Sequence, residues 1–343
     1  MKILIAGIDG YIGTVMGQVL QERGHDVAGL DTGFYREGWL YNGVTKLPPI
    51  IVKDTRNVTV DDLNGYDAVI HLADLSNDPI SNRNEKNTYA INHGGTVHLA
   101  TLAKQAGVKR FLYSSSCSVY GIAKEDLTTE ESEVNPQTAY AKCKVLAEQD
   151  IQKLADDNFS PTFLRNATVY GPSPRMRFDL VVNNLCGHAW VNHEIRMTSD
   201  GTPWRPLVHI LDVCEAFACV LGAPKDSIHN EVFNVGNSTS NYRIKDIAEI
   251  IKTVFAGCTV TFGKLDGDTR SYRVSFEKIQ DKLPGFTSKR TVEDGAKELK
   301  QLFERIKLSR ELFEFRAFTR LTELDYLVKT NQLDEQFFWR KYE

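Results

Sequence analysis

Long hydrophobic runs are missing from this 343-residue sequence. None reaches the roughly 18 apolar residues that a membrane-spanning helix requires, so no membrane partner is expected. The opening MKILIAGIDG has one lysine and an apolar stretch that breaks at Gly7, unlike a secretory signal. A cytoplasmic location is the expectation. Charge of one sign is also missing. With 41 Lys and Arg against 45 Asp and Glu, the formal net charge of -4 offers no surface for nucleic acid or an anionic membrane. CxxC pairs are absent. The six cysteines, Cys117, Cys143, Cys186, Cys214, Cys219 and Cys258, sit in apolar or helical stretches. That pattern reads as reduced thiols rather than a disulfide framework or a zinc site. No metal, internal repeat, linker or low-complexity tract is read from the chain.

What is present is ordinary globular composition, 42% hydrophobic and 25% charged, over a length that allows two domains with a normal core. The first half alternates strand and helix patterns. Strands are expected at 2–6, 26–31, 50–53, 68–72, 110–114 and 161–165, and helices at 11–23, 88–105 and 137–154. This rhythm predicts an α/β fold with a doubly wound parallel sheet of Rossmann type. After Asn166 the rhythm weakens. A YGPSP loop at 170–174 precedes a helix near 180–189, an extended piece at 205–209, a helix at 212–221 and a strand at 231–235. From Arg243 onward the pattern is mostly helical.

The first strand runs into GIDGYIG at 7–13. Gly7, Gly10 and Gly13 permit a tight turn that brings backbone close to a pyrophosphate at the positive end of a helix. The spacing is GxxGxxG rather than GxGxxG. The next strand ends at Asp31, where an acidic residue is expected about 20 residues on. A carboxylate there accepts hydrogen bonds from ribose hydroxyls and repels a 2′-phosphate, so NAD is favoured over NADP. Arg36 could reach a 2′-phosphate but reads better as a solvated surface arginine.

Tyr140 and Lys144 lie one helical turn apart on one face. A phenol, with a pKa near about 10, is a poor base at neutral pH. A neighbouring ammonium stabilises phenolate, and the tyrosine can then exchange a proton with an alcohol while hydride moves. The preceding strand leads into SSSCSVYG at 114–121, and a parallel strand delivers its C-terminal residues to the ligand crevice.

Together these motifs resemble the extended short-chain dehydrogenase/reductase family of nucleotide-sugar epimerases, dehydratases and reductases. The resemblance also rests on Asp54, on His71-Leu72-Ala73, on Asn92 with Gly95-Thr96, on RNATVYGP at 165–172, and on FNVG at 233–236. It implies that Tyr140 is the catalytic acid/base, that Lys144 holds the nicotinamide ribose, and that Ser116 is the catalytic hydroxyl. It places NAD against Gly7, Gly10, Tyr11, Ile12, Gly13, Asp31, Asp54, Thr55, Leu72, Ala73, Asn92, Ser114, Tyr140 and Lys144. Asp54 and Thr55 would meet the adenine. Asp74 departs from the small residue usual in the family. The implied division is a cofactor domain of residues 1–165, with 207–235 returning to it, and a smaller, mostly helical substrate domain of 166–206 and 236–343.

Dehydratases of that family resemble one another in an Asp-Glu pair just after the catalytic hydroxyl. Here Cys117 and Ser118 stand there, which speaks against a 4,6-dehydratase. Cys117 reads as a packing thiol. What remains is hydride chemistry, and the expected activity is that of a nucleotide-sugar 4-epimerase. The alternatives are a reductase or dehydrogenase of a nucleotide-linked keto sugar, and a non-catalytic NAD-binding regulator. Arginines are expected on the substrate diphosphate. Arg205 and Arg270 resemble the family's pair, with Arg273 as a fallback. Ser76, Ser116 and Asn166 would meet the sugar, Arg175 and Arg177 could assist, and His209 reads as structural. The tail after Thr291 is expected to cover the substrate domain or pack on a partner. The resemblance implies a homodimer through the helices at 89–105 and 137–154.

Overall fold

The apolar runs of the first half have no polar face to offer water, and the structure buries them on both sides of a parallel sheet. It is a computed structural model that describes residues 1–43, 46–76, 78–123, 125–197, 199–263 and 270–340. Its strands are β1 (Lys2–Ala6), β2 (Asp26–Asp31), β3 (Ile50–Val52), β4 (Ala68–His71), β5 (Arg110–Ser116), β6 (Ser160–Asn166), β7 (Thr168–Tyr170), β8 (Glu194–Arg196), β9 (Trp204–His209), β10 (Glu231–Val235), β11 (Asn241–Arg243) and β12 (Thr259–Thr261). Seven of them form the central sheet in the order β3-β2-β1-β4-β5-β6-β10, and each neighbouring pair is parallel. The winding reverses between β1 and β4, which opens a crevice at their C-terminal ends.

Side chains alternate across the sheet. Ile3 and Ile5 of β1 pack with Met16, Leu20, Val213 and Phe217 from the helices Tyr11–Glu22 and Ile210–Gly222. Leu4 and Ala6 pack on the other face with Leu99, Ala103, Ala147 and Ile151 from the helices Thr96–Gln105 and Ala139–Gln152. This is the α/β Rossmann-type fold read from the sequence. A second core gathers Phe178, Leu185, Ile247, Ile251, Leu299 and Phe303 from the helices Val181–Asn192, Ile244–Val254 and Val292–Ile306.

Two segments depart from expectation. The helix expected over 88–105 begins as a π-helical stretch, Tyr89–Gly95, before it becomes Thr96–Gln105. Within that stretch Asn92 is fully buried, and its amide accepts from the Leu75 N–H at 2.8 Å and donates to the Leu75 carbonyl at 3.1 Å. Gly95 comes so near Thr55 that an added Cβ would sit 2.7 Å from its Oγ1. The tail divides. Val292–Ile306 packs on the second core as expected. The segment from Arg320 returns instead to the cofactor side, where Leu324, Leu327, Leu333 and Phe337 bury Phe34, Leu75 and Ile91.

Candidate active site

The glycine turn is set by backbone crowding. Gly7 has φ +89°, and a Cβ on it would meet the Leu72 carbonyl carbon at 2.7 Å. A Cβ on Gly13 would lie 2.0 Å from the Gly7 oxygen. The turn, the start of the helix and the exit of β4 therefore meet backbone to backbone. The cap position of the Tyr11–Glu22 helix is Gly10, and no side chain among the described residues caps it. Its leading N–H groups are left for a ligand. Asp31 accepts from the Asp9 N–H at 3.0 Å and the Gly33 N–H at 2.8 Å. Burial pushes its pKa up against the pull of those donors. Arg36 folds back toward Asp9, with Nε 3.5 Å from Oδ2, rather than into the cavity.

A cavity of about 980 Å³ runs from this turn to the second lobe. That is the upper end of the usual range for one bound molecule. Of the residues expected to bind cofactor or substrate, all but Asn92 line it. Asn92 is corrected to a supporting position, because both ends of its amide are spent on Leu75, which holds the 72–76 loop against the crevice. Tyr11 lines the cavity, but its hydroxyl donates to the Gly171 carbonyl at 2.7 Å and accepts from Asn183 at 3.1 Å, so it ties the lobes together. Asp54 is held by Arg56 through Nε at 2.9 Å and Nη2 at 2.7 Å.

Tyr140 and Lys144 project from the Ala139–Gln152 helix, which Thr138 caps by accepting from the Ala141 N–H at 3.2 Å. The Lys144 ammonium is 3% exposed. It lies 5.4 Å from the Tyr140 ring centre, donates to the Ser114 carbonyl, and is paired with Asp74 at 2.6 Å. Burial pulls the Lys144 pKa down, Asp74 and Tyr140 push it up, and the net shift is upward. An ammonium has three donors. The two used here leave one for a ligand hydroxyl. Ser116 Oγ accepts from the Ser118 N–H at 3.1 Å, which orients its own proton for donation elsewhere. Asn166 donates to Ser114 Oγ at 2.9 Å, and its Oδ1 is buried without a hydrogen-bond partner among the described residues. Cys117 is fully buried with Sγ 3.1 Å from the Arg165 carbonyl, and burial holds its thiol pKa well up. It packs in the core, in keeping with its reading as a packing thiol.

Behind Asp74 runs a chain of polar groups that the sequence did not announce. The Ala73 N–H donates to His71 Nδ1 at 3.4 Å, His71 Nε2 lies 2.7 Å from Thr96 Oγ1, and Thr96 donates to Asp74 Oδ1 at 3.3 Å. His71 is also 3.7 Å from Asp74, close enough for an ion pair. Burial nevertheless lowers its pKa to about 4, so the imidazole is neutral and bonded through both nitrogens.

At the far end, Arg205 and Arg270 line the cavity with Tyr272. Arg205 donates to the Trp204 carbonyl at 2.9 Å and to the carbonyl of Arg270. Residues 267–269 of that motif lie outside the described residues. Arg273 turns away and donates to the Asp126 carbonyl at 3.0 Å. Arg177 is bound to Asp179 at 2.9 Å and to Ser76 Oγ at 2.9 Å, so the predicted Ser76 is partly occupied within the protein. Arg175 is spent on Asp9 at 2.9 Å. His209 is buried, with Nδ1 accepting from the Leu211 N–H at 3.3 Å, which is a structural role. Sequence reading missed Asp179, Tyr35 and Arg320 on the cavity wall. No motif marks them, because they reach the crevice through tertiary packing.

A turn that side chains would fill, uncapped helix N–H groups, and an orphaned amide oxygen beside Ser114 fit a dinucleotide. Residues 3–236 match the NAD dependent epimerase/dehydratase family, and the chain belongs to that family of NAD-dependent enzymes. It is similar to a UDP-glucose 4-epimerase of Corynebacterium glutamicum, at 28% identity, over 86% of this chain and 94% of that protein. It is also similar to a UDP-N-acetyl-alpha-D-glucosaminuronate decarboxylase of Bacillus cytotoxicus, at 25% identity, over 89% and 98%. Among solved structures it resembles MoeE5 in complex with UDP-glucuronic acid and NAD, with a TM-score of 0.78 and 25% identity, over 89% of this chain and 99% of that one.

Proposed function

We propose that this protein is an NAD-dependent nucleotide-sugar epimerase that acts at a sugar hydroxyl carbon, in the manner of a 4-epimerase. The observation that carries this reading is the state of the carboxylates. Among the described residues four line the cavity: Asp31, Asp54, Asp74 and Asp179. Each is engaged, by backbone N–H groups, Arg56, Lys144 and Arg177 respectively. Elimination of water needs an acid and a carbon-directed base beside the sugar, and these groups are already committed. Tyr140, Lys144 and Ser116 suffice for proton exchange at one hydroxyl. NAD, when bound, supplies a reversible hydride acceptor. Tyr140 takes the hydroxyl proton while Ser116 donates to the same oxygen, and Lys144 favours the phenolate and spends its third donor on the nicotinamide ribose. Arg205 and Arg270 hold the nucleotide diphosphate, and Asn166 and Ser76 meet the sugar. The reading includes the two-domain division given above and a homodimer, which light scattering tests.

The experiment is to denature the purified protein, identify the released dinucleotide by mass, and incubate intact protein with UDP-, GDP-, CDP- and dTDP-sugars. Retained NAD with sugar interconversion and no net redox change is the expected result. Consumption of NADH or NADPH with a keto sugar alone would replace the epimerase with a reductase.

A further inference from the structure

Arg320 opens the helix Arg320–Lys329 and is 4% exposed. Its guanidinium lies 3.8 Å from the centre of the Tyr35 ring. Among the described residues it makes no hydrogen bond or ion pair, yet it lines the cavity beside Tyr35, Asp31 and Arg177. The contrast with Arg177 is direct, since that guanidinium is neutralised by Asp179. A buried cation with no anion bonded to it is costly even when it stacks on a ring, and its position on the wall of a ligand cavity says where an anion could come from. Burial and Arg177 lower the Arg320 pKa to about 10, so it remains a cation at neutral pH.

The segment carrying Arg320 is fixed to the cofactor half of the cavity. Leu324 and Leu327 pack on Phe34, Leu75 and Ile91. Trp339 Nε1 donates to the Thr32 carbonyl at 2.7 Å. Arg56, which chelates Asp54, donates to the Gln336 carbonyl at 2.9 Å and stacks on Phe338 at 3.7 Å. These anchors sit on the loops after β2, β3 and β4, the segments that bound a dinucleotide in this fold. Arg205 and Arg270 serve the other end with Tyr272.

We propose that Arg320 is an anion-binding residue of the cofactor site that meets the pyrophosphate of the dinucleotide, and that the 320–340 segment thereby fastens the cofactor in place. This rests on the use of NAD and not on which reaction follows. The test compares wild type, Arg320→Met and Arg320→Lys, each stripped of dinucleotide. Calorimetric titration with NAD, ADP, adenosine and UDP is paired with thermal melting of the ligand-free proteins. A charge-assisted contact predicts that Arg320→Met binds NAD and ADP about 10- to 100-fold more weakly. Adenosine and UDP affinities should stay as in wild type, and lysine should restore part of the loss. The ligand-free Arg320→Met protein should melt no lower than wild type, because an unpaired buried charge has gone. Unchanged NAD affinity overturns the proposal. So does a loss confined to UDP, which would assign the cation to the substrate, or a lower ligand-free melting temperature with all ligands weakened, which would make Arg320 structural. No sugar turnover enters the measurement, so a failed epimerase assay leaves this result standing.

Discussion

Replacing Asp74 by asparagine should move the pH dependence of turnover toward acid. In the native structure Asp74 and Tyr140 both lie beside the Lys144 ammonium, so the carboxylate charge opposes phenolate formation at Tyr140. The 2.6 Å from Lys144 Nζ to Asp74 and the 5.4 Å from Nζ to the Tyr140 ring centre put the carboxylate within about 8 Å of that ring. One unit charge at that distance contributes about 2 kcal/mol at an effective dielectric of about 20. With the carboxylate gone, phenolate is favoured, and the acid limb of kcat should fall by about 1.5 pH units. The amide keeps an oxygen for Lys144, which also retains the Ser114 carbonyl and the Tyr113 ring at 4.4 Å. The assay is the rate of nucleotide-sugar interconversion from pH 5 to 10, wild type against Asp74→Asn. An unmoved limb would show that Asp74 does not act on Tyr140. A limb moved to higher pH would show that Lys144 had lost its proton. Either result refutes the reasoning.

Tyr140→Phe should abolish turnover while retaining NAD and the wild-type melting temperature, and turnover near wild type would overturn the assignment of the proton to Tyr140. Gly13→Ala forces a Cβ to within 2.0 Å of the Gly7 oxygen. It should cost about 1–3 kcal/mol of stability and empty the cofactor site, as read by denaturation and dinucleotide content. His71 is held at a pKa of about 4 by burial, against about 6.5 when unfolded. Its contribution is therefore complete above pH 6.5 and is lost as pH falls toward 4, by about 3 kcal/mol. Urea midpoints of wild type should drop more steeply over that window than those of His71→Asn, and parallel curves would refute it.

The cofactor half of the molecule was legible because its signals are local. A buried parallel strand shows as an apolar run, a glycine turn as its spacing, and the Tyr140–Lys144 pair as one helical turn. Strands β1, β2 and β10 fall where the pattern put them. The π-helical stretch was not legible, since it coincides with Asn92 bonding back to Leu75, a contact that only the folded chain makes. Asp74 stood out in the sequence as an anomaly without a cause. Its cause is Lys144, which lies 70 residues away and meets it only once β4, β5 and the following helix are assembled. The return of the 320–340 segment to the first lobe had no signature either, because amphipathic spacing states that a face is buried and not against what.

The helix that carries Tyr140 and Lys144 continues one turn further to Glu148, so the three positions share one stripe. Glu148 is 4% exposed and clamps Arg165 of β6 at 3.0 and 2.7 Å. Arg165 in turn holds Tyr120 at 3.0 Å, and Tyr120 reaches Asn234 of β10 at 2.8 Å. These directional bonds work like a keyed shaft. A small rotation of the helix about its axis would break the buried ion pair. Tyr140 is therefore a fixed post, and in a reaction that returns hydride to the opposite face of a sugar, the part that pivots is the sugar.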